Sequence, residues 1–251
     1  TEAQAVALGE VGMGHLLTPV QLHHKIKAVL GTPWLAADGR PNLAADPRDP
    51  TSLGQFQLYY GGVNSVDVLK RITDPNGLMA SVAQRMAVQM ACKAVPADFA
   101  RDDDKRKLFP LVELGGDQHD PLALEPETEG GLPIALAQDG IKEIIVHLHE
   151  HVLGEIYTVE HPEVERTYQL FYETWKEGNA ALVYEQPEDD EEPEYEPTSA
   201  DLPNNCRALA DPSTSIPYDE DGQLVSDDKY VVRSWMAVLT YMLSDYRFLY
   251  E

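Results

Sequence analysis

The sequence is short of the features by which a function is most easily recognised. Its 251 residues include two cysteines, too few for a disulfide-rich scaffold, and no run approaches the ~20 apolar residues that a membrane-spanning helix needs. It also has no G-x-S-x-G elbow of a hydrolase, no phosphate-binding loop, no G-x-G-x-x-G dinucleotide fingerprint and no C-x-x-C-H haem attachment. We therefore expect a chain that does not span a membrane, and no motif assigns it a reaction.

Basic residues are scarce relative to acidic ones. Lysine and arginine together number 19 against 43 aspartates and glutamates, which gives a formal net charge of −24. Because a surface of this charge repels phosphate groups, nucleic-acid binding through a basic patch and attachment to an anionic membrane are both disfavoured. Hydrophobic residues still make up 43% of the chain, so it can bury an ordinary core. Cations and basic proteins are the expected partners.

The first residue and the two cysteines bear on the compartment. The sequence begins at Thr1 rather than at a methionine, as it would after removal of an export signal or if it were a fragment. Export would place the protein in the periplasm or outside the cell, where an oxidising environment favours a single disulfide between Cys92 and Cys206. The alternative is one buried thiol and one incidental thiol, since the spacing of the two residues matches no zinc motif.

The periodicity of the apolar residues predicts helices and no alternating strand. The first helix is predicted at 19–30, because Thr18 and Gln21 form a capping box around a proline and Gly31 ends the helix. Further helices are predicted at 55–60, 64–72, 78–94, 139–154, 162–178 and 227–249. We therefore expect an all-α fold, an irregular bundle of about seven helices joined by long ordered loops.

Two of these helices are expected to bury apolar stripes. In the segment 64–72, Val66, Leu69 and Ile72 are predicted to face inward. The helix at 227–249 is the strongest in the chain and must dock on the rest of the protein or on a partner, because its stripe would be an aggregation hazard if exposed. Its candidate contact residues are Trp235, Met242 and Tyr246.

Charge and proline content divide the chain into three regions. Residues 1–184 are expected to form the main helical domain. The region 185–225 is predicted to be an acidic, proline-rich linker or loop, because eight of the twelve residues at 185–196 are acidic and two are proline. Residues 226–251 contain the C-terminal helix, which we expect to pack back on the main domain.

The strongest constellation of polar side chains lies on the predicted helix at 139–154, with Asp139 as its N-cap. Glu143, His147, His151 and Glu155 follow one another at intervals of four residues and would form one ridge. Imidazoles and carboxylates at this spacing can share a divalent metal such as zinc. The order H-E-x-x-H is absent, and the alternative interpretation is a half-exposed polar ridge beside the buried stripe.

A second candidate is an acidic turn before the last helix. Asp219, Asp221, Asp227 and Asp228 partly resemble the ligands of a calcium-binding EF-hand loop. The segment departs from that pattern at Pro217, which stands where the first aspartate belongs, and at Asp228, which replaces the final glutamate. The alternatives are an acidic turn that caps the last helix and a calcium site of another kind.

Three short segments resemble parts of large, uncharacterised bacterial cell-envelope proteins that often accompany cytochrome-like domains. The segments are LYYGGVNS at 58–65, MAVQMAC at 86–92 and YRFLY at 246–250. The resemblance covers under a fifth of the chain and contains no catalytic motif. It implies a secreted or periplasmic setting near an electron-transfer assembly, and it assigns no functional residue.

Two functions follow from these observations. The first is a non-catalytic, secreted or periplasmic subunit that binds other proteins within a larger assembly, since no site for chemistry is recognisable and long loops need something to order them. The second is a metal-dependent enzyme or metal-binding protein that uses the Glu/His ridge. Metal analysis of the purified protein separates the two.

Overall fold

A computed structural model describes residues 15–49, 51–64, 66–110, 134–182, 199–212 and 214–250. In this part of the chain the fold is all-α, with six α-helices, one π-helical segment and isolated β-bridges in place of strands. The α-helices are α1 Pro19–Leu30, α2 Gly77–Phe99, α3 Ile134–Leu148, α4 Pro162–Leu182, α5 Val231–Ser244 and α6 Tyr246–Leu249. None of these described helices is long and apolar enough to cross a membrane.

The chain divides into two compact units, and the division differs from the expected one. Unit 1 contains residues 1–89 and 241–251, and unit 2 contains residues 90–240. The described half of the expected linker, from residue 199, belongs to unit 2 and buries Leu202, Cys206 and Ala208 there. The acidic run at 185–196 lies outside the described residues.

In unit 1, helix α1 forms where the local signals place it. The Thr18 hydroxyl accepts a hydrogen bond from the Gln21 amide at 3.1 Å, and the Gln21 side chain accepts one from the Thr18 amide at 2.9 Å. Gly31 ends the helix in the left-handed conformation with φ 74°. The prediction for this helix is therefore confirmed at both ends, because each end is determined by residues within the segment itself.

Helix α2 begins as predicted and ends later. The Asn76 side chain caps it by accepting hydrogen bonds from the amides of Leu78 and Met79, each at 3.0 Å. The helix continues five residues past the predicted end at residue 94 and accommodates Pro96 in its last turns. Met86 and Met90 are fully buried, which confirms that these methionines pack in the core.

The core of unit 2 surrounds Trp235 on α5. Its ring lies 4.5 Å from the Phe171 ring of α4 and 5.3 Å from the Phe109 ring, centroid to centroid. Helix α4 continues to Leu182, beyond the predicted end at 178. The predicted helix at 227–249 is two helices, because the Asp245 side chain accepts a hydrogen bond from the Arg247 amide and caps α6.

The start of helix α3 corrects one expectation. The helix begins at Ile134, so Asp139 lies inside it and is not its N-cap. Its C-terminal end changes to a π-helix over His149–Leu153, and Gly154 ends that segment with φ 72°. A π-helical turn widens the spacing between residues on one face, so a ridge drawn at intervals of four does not continue through it.

Candidate functional site

Cys92 on α2 and Cys206 are at disulfide distance. Their sulfur atoms lie 2.07 Å apart across a sequence separation of 114 residues, and both residues are buried in unit 2. The Asn205 side chain also contacts the Cys92 sulfur at 3.2 Å. The pair joins the second half of α2 to the segment that precedes α5.

The predicted Glu/His ridge is interrupted. Glu143 and His147 lie on α3, His151 lies in the π-helical segment, and Glu155 follows the helix end at Gly154. The rings of His147 and His151 are nearly parallel, with centroids 5.7 Å apart. His147 uses Nε2 to donate a hydrogen bond to the Lys107 carbonyl oxygen at 3.0 Å. The Glu155 carboxylate accepts a hydrogen bond from the Tyr157 hydroxyl.

This arrangement does not gather enough ligands for a metal ion. Among the described residues, no group of three histidine, cysteine, aspartate or glutamate side chains could hold one. The zinc hypothesis has two adjacent imidazoles and no third ligand in this part of the chain, whereas a structural zinc site uses four ligands. The alternative interpretation, a polar ridge beside the buried stripe, accounts for the contacts of His147 and Glu155.

His149 is the buried histidine of the π-helical segment. Its Nε2 lies 3.2 Å from the Thr167 hydroxyl of α4, and its ring meets the Tyr157 ring edge to face at 5.1 Å. Tyr157 in turn stacks on His161 at 4.0 Å. The apolar pattern gave no signal for this burial, because the π-helical turn rotates His149 onto the core side.

The acidic turn before α5 caps a helix. Asp227 is buried, and its two carboxylate oxygens accept hydrogen bonds from the amides of Val232 at 3.0 Å and Arg233 at 2.9 Å. Burial raises the pKa of the Asp227 carboxyl group. Asp219 and Asp228 are exposed, and the Asp221 side chain lies outside the described residues. Of the two alternatives, the capping interpretation fits Asp227.

A buried carboxylate that the sequence does not announce lies at the end of α2. Asp98 accepts hydrogen bonds from the amides of Lys107, Leu108 and Phe109 at 2.9–3.0 Å. It also pairs with Arg101 at 3.1 Å, and Arg101 pairs with Asp211 at 2.9 Å. The network is structural, because its groups satisfy one another and a chain turn.

Of the three contact residues proposed on the last helix, two are in the core. Trp235 and Met242 are fully buried, so they cannot meet a partner while the fold is intact. Tyr246 is 64% exposed and is the only one of the three that reaches solvent. The expectation that this helix is an integral packing element is confirmed for α5.

The segment after residue 60 in unit 1 is a closed loop and not the predicted helix. The Ile72 amide donates to the Gly61 carbonyl oxygen at 3.3 Å, which brings the ends of the loop Gly61–Ile72 together. Gly61 has φ 84°, and a β-carbon there would lie 2.7 Å from the Ile72 carbonyl oxygen. Ser65 lies outside the described residues. The predicted helix at 55–60 is likewise a series of turns.

Asn64 explains why the loop does not become a helix. Its side-chain oxygen accepts hydrogen bonds from the amides of Val66, Asp67 and Val68 at 2.8–3.0 Å. Helix formation would require no such acceptor, and asparagine competes with helical hydrogen bonding in this way. The Arg71 guanidinium also donates to the Leu16 carbonyl oxygen and ties the loop to the chain before α1.

The loop presents apolar side chains to solvent. Val66 is 76% exposed, Leu69 75% and Ile72 46%, so the expectation that they face inward is wrong. Closed loops of this length on a rigid base are frequently functional. We therefore take the loop Gly61–Ile72 as the candidate functional site.

Comparisons with known protein families, with characterised proteins and with solved structures find no match to this chain. The geometry of the described residues is therefore the basis for a functional hypothesis.

Proposed function

We propose that the protein is a binding subunit of an extracytoplasmic assembly, and that it docks on another protein through the loop Gly61–Ile72. One observation carries the proposal. Val66 and Leu69 are strongly exposed apolar side chains on a loop that the protein holds closed with its own hydrogen bonds. An apolar group that the fold does not need, on a backbone that the fold fixes, is typical of an interaction site.

The energetics favour this use of the loop. Burying a valine or leucine side chain contributes roughly 1.5–3 kcal/mol, and binding otherwise loses part of this gain in ordering mobile segments. Here Asn64 and the Gly61–Ile72 contact already order the loop. The neighbouring Asp67 and Lys70 are exposed and would form a polar rim around the apolar contact.

The compartment is part of the proposal. A disulfide between Cys92 and Cys206 persists in the periplasm or outside the cell and is rare in a reducing cytosol. The resemblance of three short segments to envelope proteins associated with cytochrome-like domains agrees with that setting. We propose an assembly of this kind as the place where the loop finds its partner.

Site-specific photo-crosslinking tests the docking loop. A photoreactive amino acid would replace Leu69 in the full chain, inside the cell that produces it, and the control would carry the same group at Val88, which is 49% exposed on α2. We expect one discrete protein adduct from position 69, lost when Val66→Ser is added, and no adduct of that mass from position 88. Equal adducts from both positions, or none from 69, would refute the proposal.

A further inference from the structure

A groove on unit 2 runs along helix α4 and has one wall from Tyr230. Its volume is about 340 Å³, and its lining includes Glu173, Glu177, Gly178 and Tyr230. This volume lies at the lower end of the range that ligand sites occupy, roughly 300–1,000 Å³. The sequence patterns gave no sign of it, because the two walls come from segments about fifty residues apart.

Two unusual residues shape the groove. A β-carbon at Gly178 would lie 2.0 Å from the Tyr230 ring, so only glycine lets the ring lie against the helix. Tyr230 itself has φ 59°, a conformation that few residues other than glycine adopt. Both residues are unfavourable for local structure, and together they place an aromatic wall beside the helix.

The charge of the groove is negative. Glu173 and Glu177 are exposed four residues apart on α4, and neither carboxylate has an ion pair or hydrogen bond within the described part of the chain. No residue that lines the groove is basic. Two like charges at this spacing repel each other, so a cation placed between them would be favourable.

The aromatic wall already accepts a cation. The Arg233 guanidinium lies over the Tyr230 ring, 5.0 Å from its centroid. The charge of Arg233 is offset by Asp227 at 3.7 Å, so it does not cancel the charge of the glutamates. A phenol ring beside two carboxylates offers both cation–π and ionic contacts to a ligand.

We propose that this groove binds an alkylammonium group. The ammonium would lie between Glu173 and Glu177, and the alkyl chain would lie along Leu170, Ala181 and the Tyr230 ring. Such a group occurs in free diamines and in the lysine side chains of proteins. The site is independent of the docking loop, and its failure would leave the proposed function untouched.

A titration of the ¹⁵N-labelled full chain with n-butylammonium, followed by NMR, tests the site. We expect saturable shifts of the amide signals of residues 170–181 and 230, and none with n-butanol. E173Q/E177Q should weaken binding about tenfold. The control E150Q/E160Q changes the net charge equally at two exposed glutamates outside the groove and should leave binding unchanged. Equal weakening by both double variants, or shifts that do not saturate, would overturn the proposal.

A second variant keeps the test decisive if E173Q/E177Q does not fold. Tyr230→Asn removes the aromatic wall, and asparagine tolerates positive φ. It should weaken n-butylammonium binding several-fold, and unchanged binding in this variant would contradict the proposed wall. Parallel titrations with cadaverine and with acetyl-Gly-Lys-Gly-amide identify the source, since the tighter of the two marks a free diamine or a protein lysine.

Discussion

The loop Gly61–Ile72 and helix α5 use similar apolar side chains in opposite ways. In α5, Trp235, Val238, Leu239 and Met242 are fully buried. In the loop, Val66 and Leu69 face solvent. Both segments have apolar residues at spacings that favour a helix with one buried face.

The difference lies in what accepts the backbone amides. In α5 the amides bond to helical carbonyl groups once Asp227 has capped the first turn. In the loop the Asn64 side chain takes the amides of three successive residues, and Gly61 lets the chain close on Ile72. Apolar spacing therefore predicts a helix only where no local polar side chain competes for the backbone.

The largest effect is expected in the core of unit 2. Trp235→Ala should lower the free energy of unfolding by about 3–5 kcal/mol, because the ring fills a site between Phe109 and Phe171. Tyr246→Ala, at an exposed aromatic side chain, is the matched control and should change it by less than about 0.5 kcal/mol. Urea denaturation measures both, and a small loss for Trp235→Ala would show that α5 is not a core helix.

The cross-link between Cys92 and Cys206 should have the next largest effect. Its loop of more than a hundred residues restricts the unfolded chain, so the double variant Cys92→Ser, Cys206→Ser should lose about 2–4 kcal/mol. Reducing the natural chain should cause a comparable loss, while the double variant should be insensitive to the reductant. Two titratable thiols in protein taken from its own compartment would contradict the bond.

Glycine substitutions test the closure of the loop. Gly61→Ala should cost about 2–3 kcal/mol, since a β-carbon would meet both a left-handed backbone and the Ile72 carbonyl oxygen. Gly39→Ala is the control, because Gly39 also has positive φ but nothing lies within 4 Å of its added β-carbon. Thermal unfolding should show the smaller loss for Gly39→Ala, and equal losses would mean that the loop is not closed at Gly61.

Local signals predicted the fold better than long-range ones. The capping box of α1, the turn before α2 and the all-α class follow from neighbouring residues, and the pairing of Cys92 with Cys206 was expected from the compartment. The π-helical turn after α3 was not predictable from spacing, because a single inserted residue moved His149 into the core. The contacts of Asp98 with residues 107–109 lie outside any helical repeat and have no pattern in the sequence.

The candidate sites were less predictable for the same reason. The Glu/His ridge assumed a regular α-helix that ends in a π-helical turn instead. The groove depends on Gly178 meeting Tyr230 across about fifty residues, and the docking loop depends on one asparagine that prevents a helix. Each involves a contact whose partner cannot be chosen from apolar periodicity alone.

The central claim is that the apolar side chains of the loop serve a partner and not the fold, and the double variant Val66→Ser, Leu69→Ser tests it most directly. Because both side chains are mostly in solvent, their replacement should change the free energy of unfolding by less than about 0.5 kcal/mol in urea denaturation. Polar replacement should also leave the hydrogen bonds to Asn64 intact, since these come from backbone amides. A loss of 2 kcal/mol or more, of the order expected for buried side chains, would show that the loop packs on the protein itself and would contradict the account.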